Sequence, residues 1–307
     1  MNYTIRIATR ESKLALWQAE HVAAVIRKSY ADVEVVLMPM TTTGDQILDR
    51  TLAQVGGKGL FIKELEVAIH EGRAEIAVHS MKDVPSVLPE GMVINCVLQR
   101  ADPRDAFVSK RFATFAALPP GAHVGTASLR RQSQLLAARP DLRISAVRGN
   151  VETRLRKLDE GQFDAIVLAS AGLTRLNLAH RITEYLDTSI CVPAVGQGVI
   201  GVECKANDYV TRAFCAVLNH ADTEYCVNAE RAFAAKLEGS CQSPIAGHAV
   251  LMGDELQLTG LVAATDGSKV MRDHIIGLRG ESNELGIALA QRMLEAGAGE
   301  LLGIKQQ

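Results

Sequence analysis

Apolar and polar positions along this chain follow two rhythms that alternate for most of its length. Residues 4–8 read as a strand. Leu14, Trp17, His21 and Val25 then recur at helical spacing, with Ser12 placed to cap that helix. Residues 33–38 predict a second strand, and residues 60–71 an amphipathic helix closed by Gly72. Residues 75–78 tighten into an apolar strand that runs into His79, Ser80, Met81, Lys82 and Asp83, where Pro85 forbids a long helix. Another strand spans 92–98. This alternation is the pattern of a largely parallel sheet.

A second block repeats the pattern, with strands at 106–109, 122–126, 142–147 and 164–169 and helices running to about Arg139 and over 150–161. Three of these strands end in polar or basic turns. The first carries Thr126, Ser128, Arg130 and Arg131, the second Arg148 and Arg154, and the third Arg175. Ligands of open α/β sheets bind beyond the carboxyl ends of strands. Five arginines at three such ends are therefore expected to converge on one cleft. A strand at 199–204 and helices at 208–218 and 223–237 follow. The rhythm then changes to strands at 245–252, 255–263 and 270–276. Gly253-Asp254 and Asp266-Gly267 are hairpin signals, and a helix over 283–296 closes this small α+β unit.

Charge sharpens the picture. Formal net charge is −2 over 307 residues, which argues against a nucleic-acid binder. Residues 100–181, however, hold twelve Arg and two Lys against seven acids, a local excess of +7 that leaves −9 elsewhere. Arginine is favoured where planar carboxylates or phosphates are gripped by two prongs. Hydrophobic residues make up 48% of the chain, enough for a large core. The N-terminus lacks a signal-peptide layout and no apolar run reaches membrane-spanning length, so a soluble cytoplasmic protein is expected.

Six cysteines occur without CxxC or zinc spacing, so no metal is expected. Cys96, Cys191 and Cys204 lie in apolar runs and read as buried small hydrophobes. Cys241 instead sits in a Gly/Ser/Pro loop, with no nearby histidine to act as a base. It reads either as an ordinary loop cysteine or as a covalent attachment point. The polar, Gly-bearing passage 41–59 contains Gly56-Gly57-Lys58-Gly59, which lacks the Walker spacing of a nucleotide loop. Lys82 and Asp83, taken alone, read first as a solvated turn with an ordinary ion pair, and second as candidates for chemistry at a strand end.

Taken together, the ordered segments IATRESKLALWQA (7–19), GGKGLFIKELE (56–66), HSMKDVP (79–85), RADPRDAF (100–107), GTASLRRQ (125–132), RGNVETRL (148–155), PAVGQG (193–198) and LEGSCQSPI (237–245) resemble the porphobilinogen deaminase family over essentially the whole chain. One departure is visible: Ala127 stands where the family commonly has a serine, so only Thr126 and Ser128 are carried over.

The resemblance implies an α/β fold of two periplasmic-binding-protein-like domains with a cleft between them, plus a smaller C-terminal α+β domain. The expected boundaries are 1–99 with 200–217, then 100–199, then 218–307. It implies head-to-tail condensation of four porphobilinogen molecules into hydroxymethylbilane with loss of ammonia, in tetrapyrrole (haem) biosynthesis. The primer is a dipyrromethane cofactor held by a thioether to Cys241. Asp83 is the implied catalytic acid. Lys82, Asp83, Ser12, Thr126, Ser128, Arg130, Arg131, Arg148 and Arg154 are implied cofactor contacts. Arg10, Arg148, Arg154, Arg175, Gln18, Gln197 and Lys58 are implied substrate contacts, Lys58 from a lid. The pyrrole acetates and propionates make the growing chain a polyanion, which suits the arginine excess. A monomer that passes its product to the next enzyme of the pathway is expected, without nucleic-acid or membrane partners. Two other classes fit parts of the sequence. A two-lobed receptor for a small carboxylate would use the same arginines. Nucleotide-dependent phosphoryl transfer would need a magnesium-binding pattern that the chain lacks.

Overall fold

A computed structural model describes residues 3–46, 62–238 and 243–304. The chain divides into two compact units. One is built from the chain up to Ala101 together with Val199–Glu224, the other chiefly from Asp102–Gly198 and the chain from Tyr225 onward.

The first unit is organised on a five-stranded sheet in the order β2-β1-β3-β10-β4. Its strands are β1 (Tyr3–Arg10), β2 (Val33–Met40), β3 (Ile76–Ser80), β4 (Met92–Val97) and β10 (Ile200–Lys205). β1 runs parallel to β2 and β3, whereas β10 is antiparallel to both β3 and β4. The sheet is thus mixed rather than largely parallel, because a strand from much later in the chain fills the slot between β3 and β4. Alternation along the strands divides the core. Ile5, Ile7, Ile76, Val78 and Val202 pack on one face with Ala19, Val22 and Ile26 of the helix Lys13–Ser29. Ala8 and Ala77 pack on the other with Leu65, Ala68 and Ile69 of the helix Lys63–His70. Ser12 caps the first helix, its Oγ accepting from Ala15 N at 3.3 Å.

The second unit holds two sheets. Five strands, β5 (Asp105–Val108), β6 (His123–Gly125), β7 (Arg143–Ser145), β8 (Ala165–Ala169) and β9 (Glu184–Tyr185), lie in the order β7-β6-β8-β5-β9. β6 is parallel to β7 and β8, so all three present their carboxyl ends at one edge. β5 runs antiparallel to β8. The strand expected over 142–147 is confined to Arg143–Ser145. Residues 170–175, expected as a turn, form a short helix instead. Ser170 Oγ donates to the carbonyls of Asp102 and Arg104 at 3.0 and 2.8 Å, and Leu173 is fully buried. Tertiary anchoring of this kind overrides the low helix propensity of Gly172.

The remaining sheet is β11 (Ile245–Met252), β12 (Glu255–Ala263) and β13 (Val270–Leu278), antiparallel throughout. Gly253 and Gly267 sit at positive φ in its two hairpins, as the sequence signals require. Phe233, Leu256, Leu258 and Leu289 form its core, under the helix Ser282–Glu295. A further short helix, Ala298–Leu302, had no signal beyond the glycines at either end.

Candidate functional site

Chemistry-bearing residues of the first unit gather at the carboxyl edge of β1 and β3. β1 ends on Arg10, followed by the capping Ser12. β3 ends on Ser80 and passes into a single 3₁₀ turn, Met81–Asp83. Met81 is buried while Lys82 and Asp83 are half-buried. Three contacts hold this turn from below. Met81 N donates to Val199 O at 3.0 Å, Val84 N donates to Met81 O at 3.2 Å, and the Ser80 hydroxyl accepts from Gln18 Nε2 at 2.8 Å. Gln18 is buried, so it supports the turn through Ser80 instead of lining an open surface. The Asp83 carboxylate makes no hydrogen bond or ion pair among the described residues. A half-buried carboxylate in that condition is available to hold a proton or face a cation.

The arginines of the second unit separate into two groups. Arg130 and Arg131 follow β6 on the helix Leu129–Ala138, which Ser128 caps by accepting from Arg131 N at 3.4 Å. Both are buried, and both point at Asp105. Arg130 Nη1 donates to Asp105 Oδ2 at 2.7 Å and Nη2 to Oδ1 at 3.1 Å, while Arg131 Nε donates to Oδ1 at 2.9 Å. Gln197 Nε2 donates to the same Oδ1 at 2.9 Å and to Pro103 O at 2.6 Å. The Cys191 thiol lies 3.2 Å from Oδ2. Burial alone would raise the Asp105 pKa, but the two guanidiniums outweigh it and hold the carboxyl well below its ordinary range. Burial and the same carboxylate push the Cys191 thiol up to about 12.

Sequence reasoning therefore placed Arg130 and Arg131 just after the strand at 122–126, and had Gln197 only as a contact implied by the resemblance, but missed their common partner. Asp105 lay in view inside RADPRDAF. Its signal was an acid opening a strand whose four positions are all buried, since a buried charge needs a partner. Cys191 is buried as expected, but it is a member of this polar network and not only an apolar filler.

Arg148, Arg154 and Arg175 form the second group, all half-buried at the same carboxyl edge. Arg148 follows β7 and makes no ion pair among the described residues. Arg154 lies on the helix Val151–Asp159 and donates from Nε to Gly149 O at 2.7 Å. Gly149 has a φ of +108°, and a side chain there would meet Thr153 at 2.6 Å, so only glycine lets the chain make this turn. Arg175 donates to Gly198 O at 2.7 Å, and burial pulls its pKa down to about 10, which leaves it charged at neutral pH. Thr126 is buried, its hydroxyl accepting from Ser128 N at 3.3 Å; Ala127 beside it is exposed. The edge thus offers cationic donors suited to carboxylates. Lys58 and Cys241 lie outside the described residues.

No group of His, Cys, Asp and Glu among the described residues could hold a metal ion, and no described helix is long and apolar enough to cross a membrane.

Two family models match the chain. The porphobilinogen deaminase dipyromethane cofactor binding domain matches residues 5–213, and the porphobilinogen deaminase C-terminal domain matches residues 224–295. A porphobilinogen deaminase of Pelobacter propionicus is 53% identical over 298 residues, spanning 97% of this chain and 96% of that protein. Among solved structures, a periplasmic substrate-binding protein of an ABC transporter from Coxiella burnetii aligns over 70% of this chain and 91% of its own, at 12% identity and a TM-score of 0.46. A TRAP periplasmic solute binding protein from Desulfovibrio salexigens aligns over 71% and 73%, also at 12% identity and a TM-score of 0.46.

Proposed function

The chain belongs to the porphobilinogen deaminase family, and from that premise we propose that it is a hydroxymethylbilane synthase, a transferase that joins four porphobilinogen molecules head to tail with release of ammonia. The single observation that carries the reading of the site is Asp83: a half-buried carboxylate without an ion-pair partner among the described residues, on a turn braced at the carboxyl end of β3.

Loss of ammonia from porphobilinogen generates an electron-poor cation. In this reading one Asp83 carboxylate oxygen faces that cation and accepts or returns the proton that coupling exchanges at the pyrrole. Arg10, Lys82, Arg148, Arg154 and Arg175 bind acetate and propionate groups, as charge-assisted hydrogen bonds about twice as strong as neutral ones. Ser12 and Ser128 already accept from helix backbone, and their hydroxyls retain a proton to donate to a carboxylate. Thr126 is buried, so its part is to shape the turn after β6. Arg130, Arg131 and Gln197 fix that turn through Asp105. Two guanidiniums against one carboxylate still leave a net positive charge behind the edge.

These donors fit a polycarboxylate such as dipyrromethane. When bound, that group supplies the pyrrole carbon from which the chain grows, with Cys241 as its covalent anchor and Lys58 as a residue closing over the substrate. The three-domain division, with limits near residues 99, 199 and 217, belongs to the same reading. So do a cytoplasmic monomer and delivery of the product to the next enzyme of the pathway.

Intact-mass measurement of the purified protein tests it. The mass should exceed that of the sequence by one dipyrromethane, rise stepwise on addition of porphobilinogen, and fall to the bare chain in Cys241→Ala. An unmodified mass in an active preparation would refute the anchor. Failure to consume porphobilinogen, or to form a linear tetrapyrrole, would refute the enzyme and favour a carboxylate receptor.

A further inference from the structure

One buried polar pair of the first unit has no part in the proposed chemistry. His79 and Glu203 face each other between β3 and β10, with His79 Nε2 2.7 Å from Glu203 Oε2 and almost no solvent access to either side chain. The other Glu203 oxygen, Oε1, is buried without a hydrogen-bond partner among the described residues. Glu66, on the helix Lys63–His70 that covers this face, is a further titratable group close by. Its pKa is raised by burial and by the Glu203 charge, with His79 opposing.

Such a pair is weak support for stability. Desolvating a carboxyl group whose second oxygen stays unsatisfied offsets much of what the contact with His79 contributes, and apolar residues of similar size often serve folding as well or better. Its position gives it another use. In the antiparallel ladder His79 is opposite Gly201 and Ala77 is opposite Glu203, so the pair is a diagonal cross-strand contact. Two strands buried on both faces are poorly protected against a slip of two residues, which keeps every side chain on its own face. At about 3.3 Å of rise per residue, such a slip carries the end of β3 about 7 Å along the sheet. Asp83 sits three residues beyond that end.

Two features of the same face penalise the slip. Moving His79 away from Glu203 leaves two buried polar side chains without their mutual hydrogen bond. Met81, in turn, packs over Gly201, where any side chain would collide with its Sδ. Displaced by two residues, Met81 would meet either Glu203 or the end of the strand instead. We propose that the His79–Glu203 pair is a register pin, and that His79 and Glu203 are positioning residues that set where the Met81–Asp83 turn leaves the sheet.

This inference rests on the reading of Asp83 as the catalytic acid, and the test separates the two. The double variant His79→Leu/Glu203→Met fills the space without the polar pair, while Glu203→Gln keeps a hydrogen bond to His79. In the double variant the melting temperature and covalent cofactor content should match the parent. Its kcat should fall about tenfold or more, with KM for porphobilinogen within about twofold. Glu203→Gln should lose less than about threefold, a rescue by the conservative change. Gly201→Ala, which crowds the Met81 seat, should reproduce the kcat loss and stands in if the double variant does not fold. In an Asp83→Glu background the Glu203→Gln and double substitutions should cost distinctly less than in the parent, because a misplaced acid has less left to lose.

Parent-like kcat in the double variant, or in Gly201→Ala where that is the variant that folds, overturns the pin. So does a kcat loss that tracks a fall in melting temperature, or strict additivity with Asp83→Glu. If Asp83→Asn itself retains normal turnover, it is the Asp83 reading that falls.

Discussion

Arg130 grips Asp105 with both ends of its guanidinium, Nη1 on Oδ2 at 2.7 Å and Nη2 on Oδ1 at 3.1 Å, and the carboxylate is fully buried. Arg131 takes Oδ1 as well, so one acid organises two of the five arginines that the strand-end turns bring to this edge. Removing Asp105 leaves two buried cations facing each other. Asp105→Ala should destabilise the second unit by about 3–5 kcal/mol, the cost typical of breaking a buried pair from one side. Urea unfolding of the parent and the variant measures it. A midpoint unchanged within error would show that the network does not hold the fold.

The same carboxyl links stability to pH. Its folded-state pKa is depressed below the ordinary value near 3.9, so its contribution is complete above that value and is lost as pH falls toward the folded pKa. Stability of the parent should therefore drop in acid more steeply than that of Asp105→Asn, whose amide does not titrate. Unfolding midpoints between about pH 5 and pH 2 compare the two slopes. Parallel slopes would remove Asp105 from the acid response.

Asp83→Asn changes one oxygen for nitrogen on a half-buried turn. The fold and the bound cofactor should survive, while turnover falls at least about a hundredfold, the lower range for removing a positioned acid–base group. Tetrapyrrole formation in single-turnover and steady-state assays checks it, and near-normal rates would exclude Asp83 as the acid.

Arg148 and Arg130 should part company when each becomes Gln. Arg148 is half-exposed and outside the Asp105 network, so Arg148→Gln should leave the melting temperature unchanged and weaken substrate or intermediate binding. A lost charge-assisted hydrogen bond of about 1.5–3 kcal/mol corresponds to about tenfold to a hundredfold. Arg130→Gln should lower stability first, because its side chain serves Asp105 and the Val192 carbonyl at 2.6 Å. Thermal melts run beside KM measurements distinguish the two, and a common response would dissolve the division.

Cys191 should resist alkylation in the folded protein at pH 8. Its thiol is buried and its pKa is pushed up to about 12, so very little thiolate exists and none is reachable. Iodoacetamide treatment followed by peptide mass mapping should label Cys191 only after unfolding. Rapid labelling under native conditions would mean that the Asp105 network opens readily.

Much of this molecule was legible in local patterning. The hairpin strands Ile245–Met252 and Glu255–Ala263 fall where alternation and turn residues put them, because period-two burial and glycine turns are properties of adjacent residues. The ordered motifs carried the family, and the strand-end positions of Arg10, Lys82, Asp83, Arg148 and Arg175 followed from reading strands and turns in sequence. Local patterning had no means of choosing among chemically equal arginines. Arg130, Arg131 and Arg148 look alike as letters, and their difference is set by Asp105, 25 residues before Arg130, and by Gln197, 92 residues after Asp105. Only folding brings an internal carboxylate to two of them.

For the His79-to-Asp83 stretch, the sequence by itself determined a strand that ends in a lysine–aspartate turn. The tertiary structure decided where that turn stands. Insertion of β10 between β3 and β4 places Val199, Gly201 and Glu203 against Met81 and His79, across 124 residues of chain in the case of Glu203 and His79. Period-two patterning records which face a residue takes. It does not record how far along its neighbour a strand lies, and that register is fixed only by contacts between strands remote in sequence.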